Sequence, residues 1–189
     1  MRNLFLAVLF FAQSAFAAVE VAGVKFEDKA KLGNAELALN GAGLRSRFVI
    51  KVYAIGLYLP ERKQAAADVL AAKGAKRLHI VTLRELSAED FANALVESIQ
   101  KNHPDAAMDP LKARVEDFRA AILTLKTARQ GAVVQLDWLP EGGTRLTVDG
   151  KALGKDIPGE DFYQALLKIW IGGRPAQDDL REALLGKPQ

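Results

Sequence analysis

The chain has 189 residues, half of them hydrophobic and 26% charged, with no cysteine and a formal net charge of +3. That composition suits one soluble globular domain, large enough to bury a substantial core. It excludes disulfides, thiolate metal sites and a cysteine-linked lipid anchor. Basic residues are interspersed with acidic ones, which excludes a nucleic-acid footprint.

Residues 1–17 read as a cleavable export signal. Arg2 supplies the positive start, residues 4–12 the short apolar stretch, and Ala15-Phe16-Ala17 the A-x-A cleavage pattern. An apolar run of about nine residues is too short to cross a bilayer, and no later segment is apolar for long enough. The expectation is a periplasmic or secreted domain over residues 18–189, with no membrane span in the mature chain. Its net charge falls by one when Arg2 leaves.

Residues 19–26 alternate weakly, 29–34 supply turn residues and 35–39 return to strand character. Two short strands are expected there, a hairpin leading into a longer strand. The stretch 41–60, GAGLRSRFVIKVYAIGLYLP, predicts a glycine-rich turn at Gly41 and Gly43, then one long central strand closed by Pro60. Alternation puts Phe48, Ile50, Val52, Ala54 and Gly56 on one side, and Val49, Tyr53, Ile55, Leu57 and Leu59 on the other. If the strand runs back that far, Lys51 and Tyr53 share a face with Arg45 and Arg47, a cationic, phenol-bearing entrance to an apolar surface.

Residues 64–73, alanine-rich and followed by Gly74, predict a helix, and 76–83 a strand. Ser87-x-x-Asp90 opens a helix in the capping-box pattern. Phe91, Leu95, Ser98, Ile99 and Asn102 share one face of it, and His103-Pro104 ends it. Asp109-Pro110 predicts the next helix start, followed by the stripe Leu111, Val115, Phe118, Ile122 and Leu125. Strands follow over 131–138 and 144–148, and Asp149-Gly150 forms a hairpin turn into 151–153. Gly159-Glu160-Asp161 opens a helix that turns Phe162, Leu166, Ile169 and Trp170 inward and closes at Gly172-Gly173. Pro175 and Asp178 introduce a last short helix ending at Gly186. This order indicates one α+β domain on an antiparallel sheet.

No metal site is expected, because His79 and His103 fall in separate elements without surrounding acids. His79 reads as a half-buried or edge strand residue, and His103 as a helix C-terminal residue complementing the dipole. No nucleophile elbow, phosphate loop or cofactor motif is present. What remains is Arg45 with Lys51 and Tyr53. Arginine forks onto a carboxylate through two parallel hydrogen bonds, and a phenol adds a further donor. Beside an apolar tunnel that set suits a fatty acid or another amphipathic acid. The same residues are also compatible with solvated strand ends for Arg45 and Lys51 and ordinary sheet packing for Tyr53.

Gly43-x-Arg45 followed by the run 51–59, KVYAIGLYL, resembles the early core strand of the chalcone isomerase family, especially its bacterial chalcone isomerase-like branch and its fatty-acid-binding members. The closing segment 159–186 is similar too, with Ile169-Trp170-Ile171-Gly172 and a proline three residues on. Asp149-Gly150-Lys151 stands where that branch often carries asparagine-glycine-lysine. The resemblance implies a large antiparallel sheet with helices packed on one face, an open-faced sandwich with a ligand cleft on the helix side.

The enzymatic branch cyclises chalcones with an arginine after the glycine turn, a strand threonine, a tyrosine and asparagine on a helix, and a late hydroxyl residue. Arg45 matches the arginine and Asn102 the asparagine, a possible catalytic remnant. Tyr53 replaces the threonine, and Leu95 stands where the helix tyrosine should be. The fatty-acid-binding branch holds a carboxylate with an arginine and a tyrosine, and Arg45 and Tyr53 look like that pair. The expected protein is therefore exported and non-catalytic, binding a fatty-acid-like carboxylate through Arg45 and Tyr53, with Lys51 nearby. The alternatives are an isomerase or lyase on an unknown substrate, and a structural or partner-binding protein with a filled cleft.

Overall fold

The computed structural model describes residues 18–187; the leader expected at 1–17 lies outside them. The elements run β1 (Val19–Val21), β2 (Val24–Phe26), β3 (Lys29–Leu32), β4 (Ala35–Arg47), β5 (Ile50–Leu59), α1 (Ala66–Ala71), β6 (Lys76–Thr82) and β7 (Leu86–Ser87). They continue with α2 (Ala88–Lys101), α3 (Asp105–Met108), a single 3-10 turn (Asp109–Leu111), α4 (Lys112–Leu123), β8 (Thr127–Ala128) and β9 (Val133–Leu139). The last are β10 (Gly143–Val148), β11 (Lys151–Ala152), α5 (Glu160–Ile171) and α6 (Asp178–Leu184).

Seven strands form one antiparallel sheet in the order β11-β10-β9-β6-β5-β4-β3. β5 sits inside it, and every residue from Tyr53 to Leu59 is buried. On one face Tyr53, Ile55, Leu57, Leu78 and Ile80 join the apolar sides of α2, α4, α5 and α6 in the main core. On the other face the β1–β2 hairpin lays Phe26 over Leu37, Leu39, Ala54 and Tyr58. The architecture is the expected α+β one, with all the larger helices on one side.

Several local expectations hold for their stated reasons. Ser87 Oγ accepts from the Asp90 amide at 3.3 Å, completing the N-cap of α2. Asp149 and Gly150, both at positive φ, turn β10 into β11. Phe162, Leu166, Ile169 and Trp170 are all buried on α5. Asp109-Pro110 instead falls inside the 3-10 turn, and helical structure already begins at Asp105.

The stretch 41–60 is not a turn followed by one strand. Gly41 and Gly43 lie within the 13-residue β4, and the turn comes at Phe48-Val49, leading straight into β5. Lys29–Leu32, expected as part of a turn, is itself a strand paired with β4. The glycines serve the approach of α6. A β-carbon on Gly41 would meet the Ala183 carbonyl oxygen, and one on Gly43 would lie 2.7 Å from Leu180 Cδ1. Glycine inside a strand marks such a close approach as readily as a turn.

His79 is half-buried on β6, its ring edge-on to Phe26 at 5.8 Å and its Nδ1 3.3 Å from Gln135 Nε2. Burial lowers its pKa and the Arg77 charge adds to that, while Asp137 opposes both. The unfolded chain therefore binds a proton more readily, so this contribution is complete above about pH 6.5 and lost as pH falls towards the depressed value. Melting temperature should drop between pH 7.5 and 5.5, and His79→Gln should shrink the drop. Identical pH profiles for the two proteins would contradict this assignment.

Candidate functional site

Three neighbouring strands place Arg45, Tyr53 and Thr82 in one row on the helix-facing side of the sheet. Arg45 on β4 is the direct partner of Tyr53 on β5, and Tyr53 the direct partner of Thr82 on β6. Cross-strand neighbours of this kind stand close enough for their side chains to cooperate. A register shift between Arg45 and Ser46 then breaks the β4–β5 ladder, beyond which Ser46 pairs with Lys51.

Tyr53 is buried, and its hydroxyl accepts from Trp170 Nε1 at 2.9 Å across the α5–sheet interface. Burial raises its pKa, and the Trp170 bond and the Arg45 charge only partly offset this. At neutral pH the group is a phenol, with its own O–H hydrogen still to donate. Arg45 is half-buried. Its Nη1 donates to the Ser46 carbonyl at 2.8 Å and to Gln177 Oε1 at 3.1 Å. Gln177 fastens the same break in the ladder, accepting from the Ser46 amide and donating to the Leu44 carbonyl. Among the described residues the Nε and Nη2 groups of Arg45 make no hydrogen bond, which leaves N–H donors for a ligand.

Lys51 is exposed one step beyond this row, nearer the turn. Asn102 has a different task. Its side-chain amide donates to the carbonyls of Ser98 and Arg174, both at 2.9 Å, and its oxygen accepts from the Arg174 amide at 3.0 Å. It ties the end of α2 to the loop after α5, and those bonds use most of its capacity. Leu95 is buried in the core, with no hydroxyl to offer.

From Thr82 an apolar crevice runs between the sheet and α2, walled by Ile80, Val134 and Leu146 below and by Phe91, Ile122 and Leu125 above. Its water-accessible cavity is only about 20 Å³, close to one water molecule. Leu86, Phe91 and Leu125 around it are only partly buried. The Thr82 hydroxyl is occupied, donating to the Arg129 carbonyl at 2.7 Å and accepting from the Ala132 amide at 3.0 Å.

The sequence reasoning named Arg45 and Tyr53 but missed Trp170, Gln177 and Thr82 as their neighbours. A buried tryptophan must satisfy its N–H, and that was the available signal for Trp170. Gln177 carried none.

A seven-stranded antiparallel sheet with the larger helices packed on one side matches a chalcone isomerase-like fold. The chain belongs to the chalcone isomerase-like family, whose profile matches residues 18–186. Among solved structures it is similar to the fatty-acid binding protein of Arabidopsis thaliana. That match has 18% identity and a TM-score of 0.68, covering 89% of this chain and 96% of the other. At that identity the likeness establishes the fold. A search of curated proteins gave no match.

Proposed function

We propose that this protein binds an amphipathic carboxylate of the fatty-acid type and does not turn it over. The observation that carries the reading is the cross-strand pairing of Arg45 with Tyr53, whose other partner, Thr82, lines the crevice. Arg45 Nε and Nη2 would fork onto the carboxylate and the Tyr53 hydroxyl would add a third donor. The tail would run past Thr82 between α2 and the sheet, parting Phe91 and Leu125. Lys51 would stand at the entrance as a diffuse positive charge. The Arabidopsis neighbour of the same fold is a fatty-acid binding protein, which supports this reading. The signal-like residues 1–17 support export, and with it a periplasmic or secreted site of action.

Absence of turnover follows from the donor set. Ring closure on an enone needs several donors placed on the developing charge. Asn102 is committed to the Arg174 loop and Leu95 offers no hydroxyl, so Arg45 and Tyr53 stand without those partners. The narrowness of the crevice favours a second reading, a structural member of the family with a filled cleft.

Mass spectrometry of small molecules released on denaturation separates the two. Protein purified without detergent should release an amphipathic acid near one equivalent, and Arg45→Ala protein at least tenfold less, as the loss of a charge-assisted hydrogen bond implies. An empty wild-type protein that also fails to take up added fatty acid would favour the filled-cleft reading.

A further inference from the structure

The β4–β5 turn presents its largest side chains to solvent. Phe48 is 91% exposed, Val49 97% and Ile50 47%, and Val19 is the other exposed large hydrophobic residue among those described. Scattered exposed apolar residues need no explanation, whereas three consecutive ones at the tip of a hairpin do. Folding does not supply it. Phe48 adopts φ 54°, a conformation that suits glycine or asparagine and that a bulky aromatic residue rarely takes. A two-residue turn chosen for stability would place glycine or asparagine there. Phe-Val is therefore unfavourable for the turn and unburied by the body of the protein.

The charges around the tip are cationic. Arg47 immediately precedes it and Lys51 immediately follows Ile50; both are exposed and, among the described residues, neither forms an ion pair. Arg45 lies two residues further back, and exposed Arg84 follows Leu83, whose amide bonds the Val52 carbonyl. The acids at this end are set back from the tip. Glu20 and Asp179 line a cavity with Ala42 to Leu44 and Ser46, exposed Asp178 follows the Gln177 that bonds Ser46, and Glu85 lies beyond Arg84.

We infer that the Phe48–Ile50 tip is a membrane-surface anchor, inserting Phe48 and Val49 among the acyl chains of an anionic bilayer while Arg47 and Lys51 pair with the headgroups. Apolar side chains rimmed by lysine and arginine are the chemistry that binds such an interface. A neutral protein partner would explain the apolar tip but not its cationic collar. The anchor also brings Arg45 and Tyr53 to the bilayer, where an amphipathic acid would be exchanged. That consequence rests on the carboxylate reading, whereas the anchor itself does not.

Vesicle flotation tests the anchor without any ligand, using phosphatidylcholine vesicles with or without 30% phosphatidylglycerol (about one anionic lipid in three, enough to attract a basic segment). The mature wild-type protein should float with the anionic vesicles at low salt. Phe48→Gly/Val49→Ser should lose at least tenfold in bound fraction while melting no lower than wild type, since those side chains pack on nothing. Arg47→Glu/Lys51→Glu should lose a similar factor, and raised salt should weaken wild-type binding. Sedimentation of the same proteins reads self-association. Wild-type protein that stays off the anionic vesicles, or tip variants that float as well as wild type, would overturn the anchor. So would a wild-type dimer that the tip variant dissolves without any vesicle binding.

Discussion

Trp170→Ala is expected to lower folding stability by about 3–5 kcal/mol, the range for removing a large aromatic side chain from a packed core. Trp170 is 1% exposed on the inward face of α5 and contributes to the main core. Its indole N–H also satisfies the buried Tyr53 hydroxyl. Trp170→Phe keeps most of the packing and removes that hydrogen bond, so it should cost far less, about 1–2 kcal/mol. Urea denaturation of the three proteins measures the ranking. A Trp170→Phe protein as damaged as Trp170→Ala would mean that the hydrogen bond, and not the volume, dominates at this position.

The second large effect is expected at Gly41. A β-carbon there would be driven against the Ala183 carbonyl oxygen and would lie 2.9 Å from the Leu184 carbonyl oxygen. Both obstacles are backbone, in a segment where Asn40 Nδ2 also donates to the Leu184 carbonyl at 2.7 Å. Neither can rotate aside, so α6 must lift off β4. Overpacking a tight contact costs about 1–3 kcal/mol where side chains can yield, and Gly41→Ala should reach or exceed the top of that range. At Gly43 the nearest obstacle is the end of the Leu180 side chain, and Gly43→Ala should cost less. Equal losses in denaturation would show that α6 is not held as closely at Gly41 as the geometry requires.

Those two glycines show where sequence reading reaches its limit. A turn and a close helix approach use the same property, a missing β-carbon, and only the second involves a partner some 140 positions downstream (Asn40 to Leu184 spans 144). The actual turn at Phe48-Val49 carries no turn residue, so β-branched and aromatic composition read continuously through it. The anchor inferred for that tip accounts for why turn chemistry is missing there. Elements governed by local rules were legible: the Ser87 cap, the Asp149-Gly150 turn, the inward stripe of α5. Arg45 and Tyr53 were expected on one face of one strand, which would hold them about 26 Å apart; the unforeseen hairpin turn at Phe48-Val49 is what pairs them across two strands. Their remaining neighbours were not legible either, since Trp170 and Gln177 reach them across 117 and 132 positions.

The most direct test of the carboxylate site is carbon-13 NMR of carboxyl-labelled palmitate titrated into delipidated protein spanning residues 18–189, with Arg45→Ala and Tyr53→Phe alongside. The wild-type complex should give a distinct bound carboxyl resonance. It should hold its ionised position as pH falls through the ordinary carboxylate range, about 4–5, because a guanidinium beside a carboxylate favours the charged form. Arg45→Ala should abolish that resonance, and Tyr53→Phe should weaken binding while leaving a bound signal. A bound resonance unchanged in Arg45→Ala, or no bound resonance in wild type at millimolar palmitate, would contradict the account.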